Sequence, residues 1–416
     1  MASWHERLIE RAVKPTLKLS PEEFLSYARP KCKQIVVGDA FEQLIKSKKK
    51  LRIKLGIDPT GAEMHLGHAV PLMLLRLFQR AGHEVHFIIG DFTAQIGDPA
   101  GRSDQRKELT QKEIERNFRT YTKQIAPLLN IRKARVHRNS TWLAKMKLAD
   151  FFRVLGAVSF GEVAQREDFR TRIKSGAGVS MREANYSSLM AIDSLHLKAD
   201  IEVGAIDQLL NFMHTRDIMA AFGKTPEVVL MTPLIEGVAG DGRKMSKSFN
   251  NYIALADSAH NQFGLIMSIP DKLILSYFIS FGDVREDEIQ ELDRFIVQNP
   301  FEAKKELGTL LVSLLHSQKA AESARADFER RFSKKELKTE DEIVVRVGLP
   351  VKLLDGLDVA FEGAQSRAQI RTLVRQGAVR RVMGDSLEPL RDESMEISTD
   401  TLLKVGKMHL FRFRKK

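Results

Sequence analysis

The feature that most narrows what this chain can fold into is the order strand, glycine-bounded turn, helix, strand across residues 51–89. Leu51-Arg-Ile-Lys-Leu suits a strand, and the turn region from Gly56 to Gly61 follows it. A helical pattern then runs from about Leu66 to Arg80, Gly82 stops it, and Val85-His-Phe-Ile-Ile is a second apolar strand. Strands joined through a helix in this way run parallel. The unit is therefore βαβ, and the expected fold class is α/β with a Rossmann-type parallel sheet.

Residues 1–48 read as helices leading in, with Ser20-Pro21-Glu22-Glu23 as a helix start. The sheet-bearing domain is expected over 49–256. Within it, 104–199 is mostly helical, with polar starts such as Thr110, and Val228-Val-Leu-Met then returns to strand character. That pattern implies a helical insertion between two halves of one sheet. Residues 257–342 carry amphipathic helix patterns, Leu349-Pro350 marks a boundary, and 343–416 form a compact basic unit.

With 43% hydrophobic and 29% charged residues, the chain can bury ordinary cores. The single cysteine, Cys32, excludes an internal disulfide and a zinc site of clustered thiolates. No run approaches the roughly 18 apolar residues needed to cross a bilayer. The start carries Glu6 and Glu10 among its apolar residues, unlike a signal peptide. A cytoplasmic protein without membrane partners is expected. The net charge of +12 is concentrated late: between positions 363 and 384 lie Arg367, Arg371, Arg375, Arg380 and Arg381 and no acidic residue. Such a segment suits a polyanion such as RNA, or is simply a solvated helix face.

Two motifs carry chemistry. In Gly56-Ile-Asp-Pro-Thr-Gly-Ala-Glu-Met-His65-Leu-Gly67-His68, two histidines three apart begin a helix, whose N-terminus favours phosphate. In Gly240-Asp-Gly-Arg-Lys244-Met-Ser-Lys247-Ser248, a glycine-flanked loop carries two lysines three apart, suited to closing over a triphosphate. Alone, the first reads equally as a turn with satisfied histidines and the second as a charged loop. Together, in this order and on this scaffold, they are specific.

They resemble the "HIGH" and "KMSKS" signatures of class I aminoacyl-tRNA synthetases. The likeness extends from about residue 30 to the end. Gly90-Asp-Phe-Thr-Ala-Gln-Ile-Gly-Asp98-Pro-Ala-Gly-Arg resembles the "IGDPSG" element of tyrosyl-tRNA synthetases, and the segment ending Asp207-Gln208 resembles their "GGxDQ". Residues 366–379 are similar to the small α+β RNA-binding domain of bacterial tyrosine enzymes, with Arg367, Arg371 and Arg375 on one helix face. The resemblance implies ATP with magnesium, tyrosine or a close analogue, tRNA, and a homodimer joined through the insertion. The middle helices become an anticodon-side domain, and no structural metal is implied.

It also implies roles. His65, His68 and nearby Thr60 would meet the ATP phosphates, and Lys244 and Lys247 the leaving pyrophosphate. Gly56, Asp58, Gly67, Asp207 and Ser246 would complete the nucleotide site. Lys54, Asp98, Tyr186, Met190, Asp193 and Gln208 would line the amino-acid site: Asp98 and Tyr186 at the ammonium, Asp193 at the phenol, Gln208 near the carboxylate. Arg380 and Arg381 join the RNA-binding arginines.

Tyr186-Ser-Ser-Leu-Met190-Ala-Ile-Asp193 departs from the family's "YPLxQGYD". Met190 replaces a glutamine that accepts from the ammonium, and a thioether is a poor substitute. Ala205-Ile206 adds bulk where the ribose should pack, and Lys54 stands where many members have tyrosine, though one bacterial subgroup shares the lysine. Two readings stay open: drift within a tyrosine–tRNA ligase, or a paralogue loading another aromatic or β-amino acid, perhaps onto a different acceptor. A non-catalytic RNA-binding protein is a third, opposed by both complete motifs. On the sequence alone, restoring glutamine at 190 is expected to improve tyrosine activation.

Overall fold

The computed structural model describes residues 4–47, 49–99, 109–333, 341–363, 365–383, 386–406 and 409–416. The end of the 90–102 element, the first residues of the expected insertion at 104–108, the end of the helical stretch at 334–340, and Gly384 lie outside them. Contacts divide the chain into two compact units, Met1–Glu322 and Ser323–Lys416.

The first unit is built on a six-stranded sheet in the order β1-β6-β5-β2-β3-β4. The strands are β1 (Gln34–Val36), β2 (Arg52–Ile57), β3 (Glu84–Ile89), β4 (Arg135–Arg138), β5 (Ile201–Ala205) and β6 (Val228–Thr232). β2 pairs in parallel with β3 from Arg52↔Glu84 to Ile57↔Ile89, and with β5 at Ile53↔Ile201. The strand order reverses between β2 and β5, so a crevice opens beyond their carboxyl ends, where such sheets bind ligands. β1 alone is antiparallel, pairing Gln34↔Met231.

The helix Leu66–Arg80 lies between β2 and β3 in sequence, as expected, with Ala81 its C-cap and Gly82 at φ +96°. It is apolar almost all round, burying Leu72, Leu74, Leu75, Leu77 and Phe78 with Ile53 and Leu55 of β2 and Phe87 and Ile89 of β3. Each such side chain contributes roughly 1.5–3 kcal/mol by leaving water. That packing fixes the helix's first turn against the sheet.

Three expectations are corrected. Residues 1–48 are not only helical, because β1 extends the sheet there. The stretch 104–199, although mostly helical, is not wholly an insertion between two halves of the sheet: Gln111–Ile125 leads into β4, which pairs in parallel with β3 at His86↔Arg135. The helices outside the sheet begin only after Arg138. Leu349-Pro350 is not a boundary either. β7 (Glu342–Val347), which precedes it, already pairs with β13 (His409–Lys415) in the second unit.

The helices Ala259–Ser268, Ile274–Phe281 and Pro300–Leu315 bury Phe263, Ile266, Tyr277, Phe278, Leu307 and Leu310. All but Phe263 belong to the core cluster that contains the sheet. In the second unit β8 (Val351–Lys352) pairs with β11 (Glu396–Ile397). β9 (Val379–Met383), β10 (Ser386–Pro389), β12 (Thr401–Val405), β13 and β7 make a five-stranded sheet in the order β10-β9-β12-β13-β7. The helices Leu353–Phe361 and Arg367–Arg375 share a core with it through Leu353, Leu357, Ile370, Val374, Leu403 and Phe413.

Candidate active site

A cavity of about 510 Å³ opens at the β2–β5 switch point. It is lined by every catalytic, nucleotide and amino-acid candidate: Lys54, Gly56, Asp58, Thr60, His65, Gly67, His68, Asp98, Tyr186, Met190, Asp193, Asp207, Gln208, Lys244, Ser246 and Lys247. These residues are scattered over the sequence from 54 to 247, and the topology gathers them.

His65 is the N-cap of the Leu66–Arg80 helix. Its Nδ1 accepts from Gly67 N at 3.1 Å, and His68 Nδ1 accepts from His65 N at 3.2 Å. A backbone N–H can only donate, so both Nδ1 atoms are acceptors and each neutral ring carries its proton on Nε2. Burial, reinforced by Lys247, lowers His65 to about 3 and His68 to about 4; His68 also depresses His65. Two neutral N–H donors thus stand at a helix N-terminus, an arrangement fit for phosphate oxygens. Gly67 is required between them: a Cβ there would lie 2.9 Å from the His65 ring. The preceding turn is braced by the Gln111–Ile125 helix, since Asn117 Nδ2 donates to Pro59 O at 2.9 Å and Gln124 Oε1 accepts from Met64 N at 2.7 Å.

The lysine loop joins this motif through the backbone. Leu66 N donates to Ile253 O at 3.0 Å, and Leu255 N to Met64 O at 2.9 Å. Asn251, almost fully buried, clamps the loop: its Oδ1 accepts from Ser246 N at 2.8 Å and its Nδ2 donates to Lys244 O at 3.2 Å. Lys247 Nζ donates to Glu63 O at 2.7 Å, and Lys244 Nζ lies 3.4 Å from Asp207 Oδ2. Both lysines line the cavity, Lys247 held by a backbone carbonyl and Lys244 by a longer contact to a carboxylate. Gly240 and Gly242, at φ +65° and +82°, permit the sharp turn.

Among the amino-acid candidates, Tyr186 OH donates to Asp58 Oδ2 at 3.1 Å, and Thr93 Oγ1 donates to Asp58 Oδ1 at 2.7 Å. Asp98 accepts from Gln208 Nε2 at 2.7 Å and from Asn211 Nδ2 at 3.4 Å. Buried Asp193 accepts from Trp142 Nε1 at 2.7 Å and Asn139 Nδ2 at 3.2 Å. Burial raises it to about 6, against the pull of Lys54, Trp142 and Asn139. Asn139 and Trp142 had no local signal in the sequence, because only the fold brings them here; Thr93 and Asn251 sit in or beside the motif segments but were given no role. Gly90 opens the 90–102 segment for a steric reason: a Cβ would fall 2.2 Å from Asp58 Oδ1 and Thr93 Oγ1.

The departures from the family pattern are physically linked. Met190 and Ile206 pack against one apolar cluster of Phe212, Val229 and Met231, joined by Val36. Two changes from polar or small residues thus make one apolar wall. Lys54 lines the cavity, yet its ammonium is engaged by Met190 O, Ser194 Oγ and Glu202.

In the second unit, the Arg367–Arg375 helix is capped by Ser366 and Gln369. Its arginines are not free of acids as the local sequence suggests. Arg367 pairs with Asp355 and Asp358, Arg371 with Glu393 at 3.1 Å, and Arg375 with Glu393 at 3.4 Å. Arg380 donates to Gly377 O, and Arg381 lies 3.7 Å from Glu388. Among the described residues no group of three or more His, Cys, Asp or Glu is arranged to hold a metal ion.

Residues 46–333 match the family described as "tRNA synthetases class I (W and Y)". The chain is 38% identical over 370 residues to tyrosine–tRNA ligase 2 of Photorhabdus laumondii, covering 88% of this chain and 91% of that one. It is 36% identical over 398 residues to tyrosine–tRNA ligase of Thermotoga maritima, covering 95% and 98%. In fold it is similar to a C-terminally truncated mitochondrial tyrosyl-tRNA synthetase from Coccidioides posadasii, with TM-score 0.62, 24% identity, and 78% and 95% coverage. It is likewise similar to tyrosyl-tRNA synthetase complexed with L-tyrosine from Archaeoglobus fulgidus, with TM-score 0.59, 24% identity, and 73% and 99% coverage. The chain belongs to the class I tRNA synthetases and, within them, to the tyrosyl-tRNA synthetase family.

Proposed function

We infer that the chain is a tyrosine–tRNA ligase, activating tyrosine with ATP and passing it to tRNA. The observation that carries the residue assignment is the convergence of both signature motifs and the amino-acid candidates on one cavity at the sheet's switch point.

In the first step a tyrosine carboxylate oxygen attacks the α-phosphorus of ATP, the bond to the bridging oxygen breaks, and pyrophosphate leaves. Catalysis is then positioning plus charge stabilisation. The neutral His65 and His68 donate from Nε2 to phosphate oxygens. Lys247 and Lys244 leave Glu63 O and Asp207 to follow the developing charge on pyrophosphate, which frees Asp207 for the ribose. Gly56, beside which a Cβ would meet nothing within 4 Å, leaves room for adenosine. Asp98 and Tyr186 receive the ammonium and Asp193 the phenol. In the second step a ribose hydroxyl of the tRNA terminus attacks the adenylate's carbonyl carbon, and AMP leaves. Magnesium enters with ATP as part of the substrate; imidazole and ammonium groups facing the phosphates suit anions, not a divalent cation.

The insertion-region helices expose Leu148, Phe152, Phe160, Ile173 and Met181, which supports a homodimer formed there. The arginines of the second unit are proposed to meet tRNA. Among the described residues no single helix is long and apolar enough to cross a membrane; the bent pair Ala259–Ser268 and Asp271–Phe281 passes that test only jointly. Phe263, Ile266, Tyr277 and Phe278 of that pair are buried inside the protein. A cytoplasmic location is proposed accordingly. Charging of tRNA with labelled tyrosine tests the reading: tyrosine should accumulate as acid-precipitable ester, and its failure with an otherwise active adenylate-forming enzyme would redirect the assignment to another acceptor.

A further inference from the structure

Beneath the amino-acid end lies a buried ionic cluster that the mechanism above does not use. Lys54 and Glu202 are 1% and 2% exposed, and their side chains meet at 2.7 Å. Lys54 Nζ also donates to Ser194 Oγ at 2.6 Å and to Met190 O at 3.2 Å. An ammonium has three donors, and these partners use all of them, so none is left for a substrate hydroxyl. Ser194 Oγ in turn donates to Glu227 Oε1 at 3.1 Å. Glu227 lies close enough to Glu202 for their carboxyl groups to interact, and the Oε2 atom of each has no hydrogen-bond partner among the described residues.

Met190 and Ser194 are one turn apart on the Tyr186–Leu197 helix, which also presents Tyr186 and Asp193 to the cavity. Positions 186, 190 and 193 share one face. We propose that Lys54 is a positioning residue for amino-acid recognition: it fastens this helix to β2 through Met190 and Ser194, with Glu202 as counter-ion and Glu227 as the bridge back to Ser194. The inference rests on reading this end of the cavity as the tyrosine site.

The charges close consistently. Two buried carboxylates side by side repel each other, and burial, together with Glu202, pushes Glu227 well above the usual carboxylate range. Glu227 is therefore the neutral partner, and Lys54 and Glu202 form the ion pair. Removing one member of that pair would strand a buried charge, whereas removing both would not.

Pyrophosphate exchange, with tyrosine and ATP varied separately, tests the proposal on the full chain. The double variant Lys54→Met/Glu202→Gln is expected to raise the tyrosine KM about tenfold or more while the ATP KM stays within about twofold. Glu227→Leu should shift the tyrosine KM the same way, and Glu227→Gln should bring it back to within about threefold, since an amide both donates and accepts. Thermal melts identify a variant that does not fold; if the double variant fails, the Glu227 pair decides. An unchanged tyrosine KM, an equal rise for both substrates, or no rescue by Glu227→Gln overturns the inference. Absence of tyrosine-dependent exchange in the unaltered chain overturns the functional reading itself and this inference with it.

Discussion

His65 and His68 cap one helix reciprocally, their rings 4.0 Å apart and both Nδ1 atoms accepting backbone hydrogens. Neither ring can take a second proton without losing its cap. The depressed pKa values of about 3 and about 4 mean that the folded state binds fewer protons than the unfolded chain, whose histidines titrate near 6.5. Stability from these groups is therefore full above about 6.5 and is lost as pH falls toward 4. Melting temperature measured from pH 7 to 4.5 should fall, and less steeply in His68→Asn. An identical slope in that variant contradicts the lowered pKa of His68. Gly67→Ala, by driving a Cβ against the His65 ring, should lower the rate of adenylate formation about tenfold or more.

Asp193 behaves in the opposite sense. Its raised value near 6 means the folded state holds the proton longer than the unfolded chain, so its contribution to stability declines as pH rises through about 4 to 6. Tyrosine's phenol needs the ionised form as acceptor. The tyrosine KM should then rise below pH 6, by at most about tenfold per unit. Trp142→Phe removes a donor worth roughly 1.5–3 kcal/mol to the carboxylate and should move that acid limb up by about one to two pH units. A KM for tyrosine that is flat from pH 5 to 8 would remove Asp193 from phenol recognition.

Met190→Gln now carries a different expectation from the one the sequence alone suggests. The side chain it replaces packs with Ile206, Phe212 and Met231, so an amide there has apolar neighbours. Met190 is only partly buried, so an amide left unsatisfied against these neighbours costs at most roughly 1–3 kcal/mol, and tyrosine kcat/KM should fall by up to about tenfold. A gain in tyrosine activation would show instead that the amide reaches the ammonium. A loss confined to tyrosine, with another amino acid preferred by the parent, would favour the paralogue.

Glu393 holds two arginines that RNA phosphates would otherwise attract. Glu393→Gln should tighten tRNA binding a few-fold, while Arg371→Ala or Arg375→Ala should each weaken it and reduce the salt slope by about one. These pairs are exposed, so their loss should leave the melting temperature nearly unchanged. Binding unaffected by all three changes would make this helix face only a solvated surface.

What the sequence disclosed followed from local signals. The Leu66–Arg80 helix was legible because a long apolar run begins after the turn at His65 and is stopped by Gly82. The cavity residues were legible because two short motifs and a family pattern name them. β1 escaped notice because three residues, Gln34-Ile-Val, carry too little pattern, and β4 because Arg135-Val-His-Arg is a polar edge strand. The arginine segment looked unopposed because Asp355, Asp358 and Glu393 lie outside it in sequence. Lys54 read as a substrate contact because its three partners come from the Tyr186–Leu197 helix and β5, and no spacing in the sequence announces such a closure.

The central claim is that this cavity joins tyrosine to AMP with Lys244 and Lys247 acting on the leaving pyrophosphate. Pyrophosphate exchange with a panel of amino acids, run on the unaltered chain and on Lys244→Ala and Lys247→Ala, addresses it most directly. The account predicts exchange that depends on tyrosine far more than on any other amino acid. It also predicts a rate reduced about a hundredfold or more in each lysine variant, with ATP affinity little changed. Exchange driven better by a different amino acid, or at full rate in both variants, would contradict it.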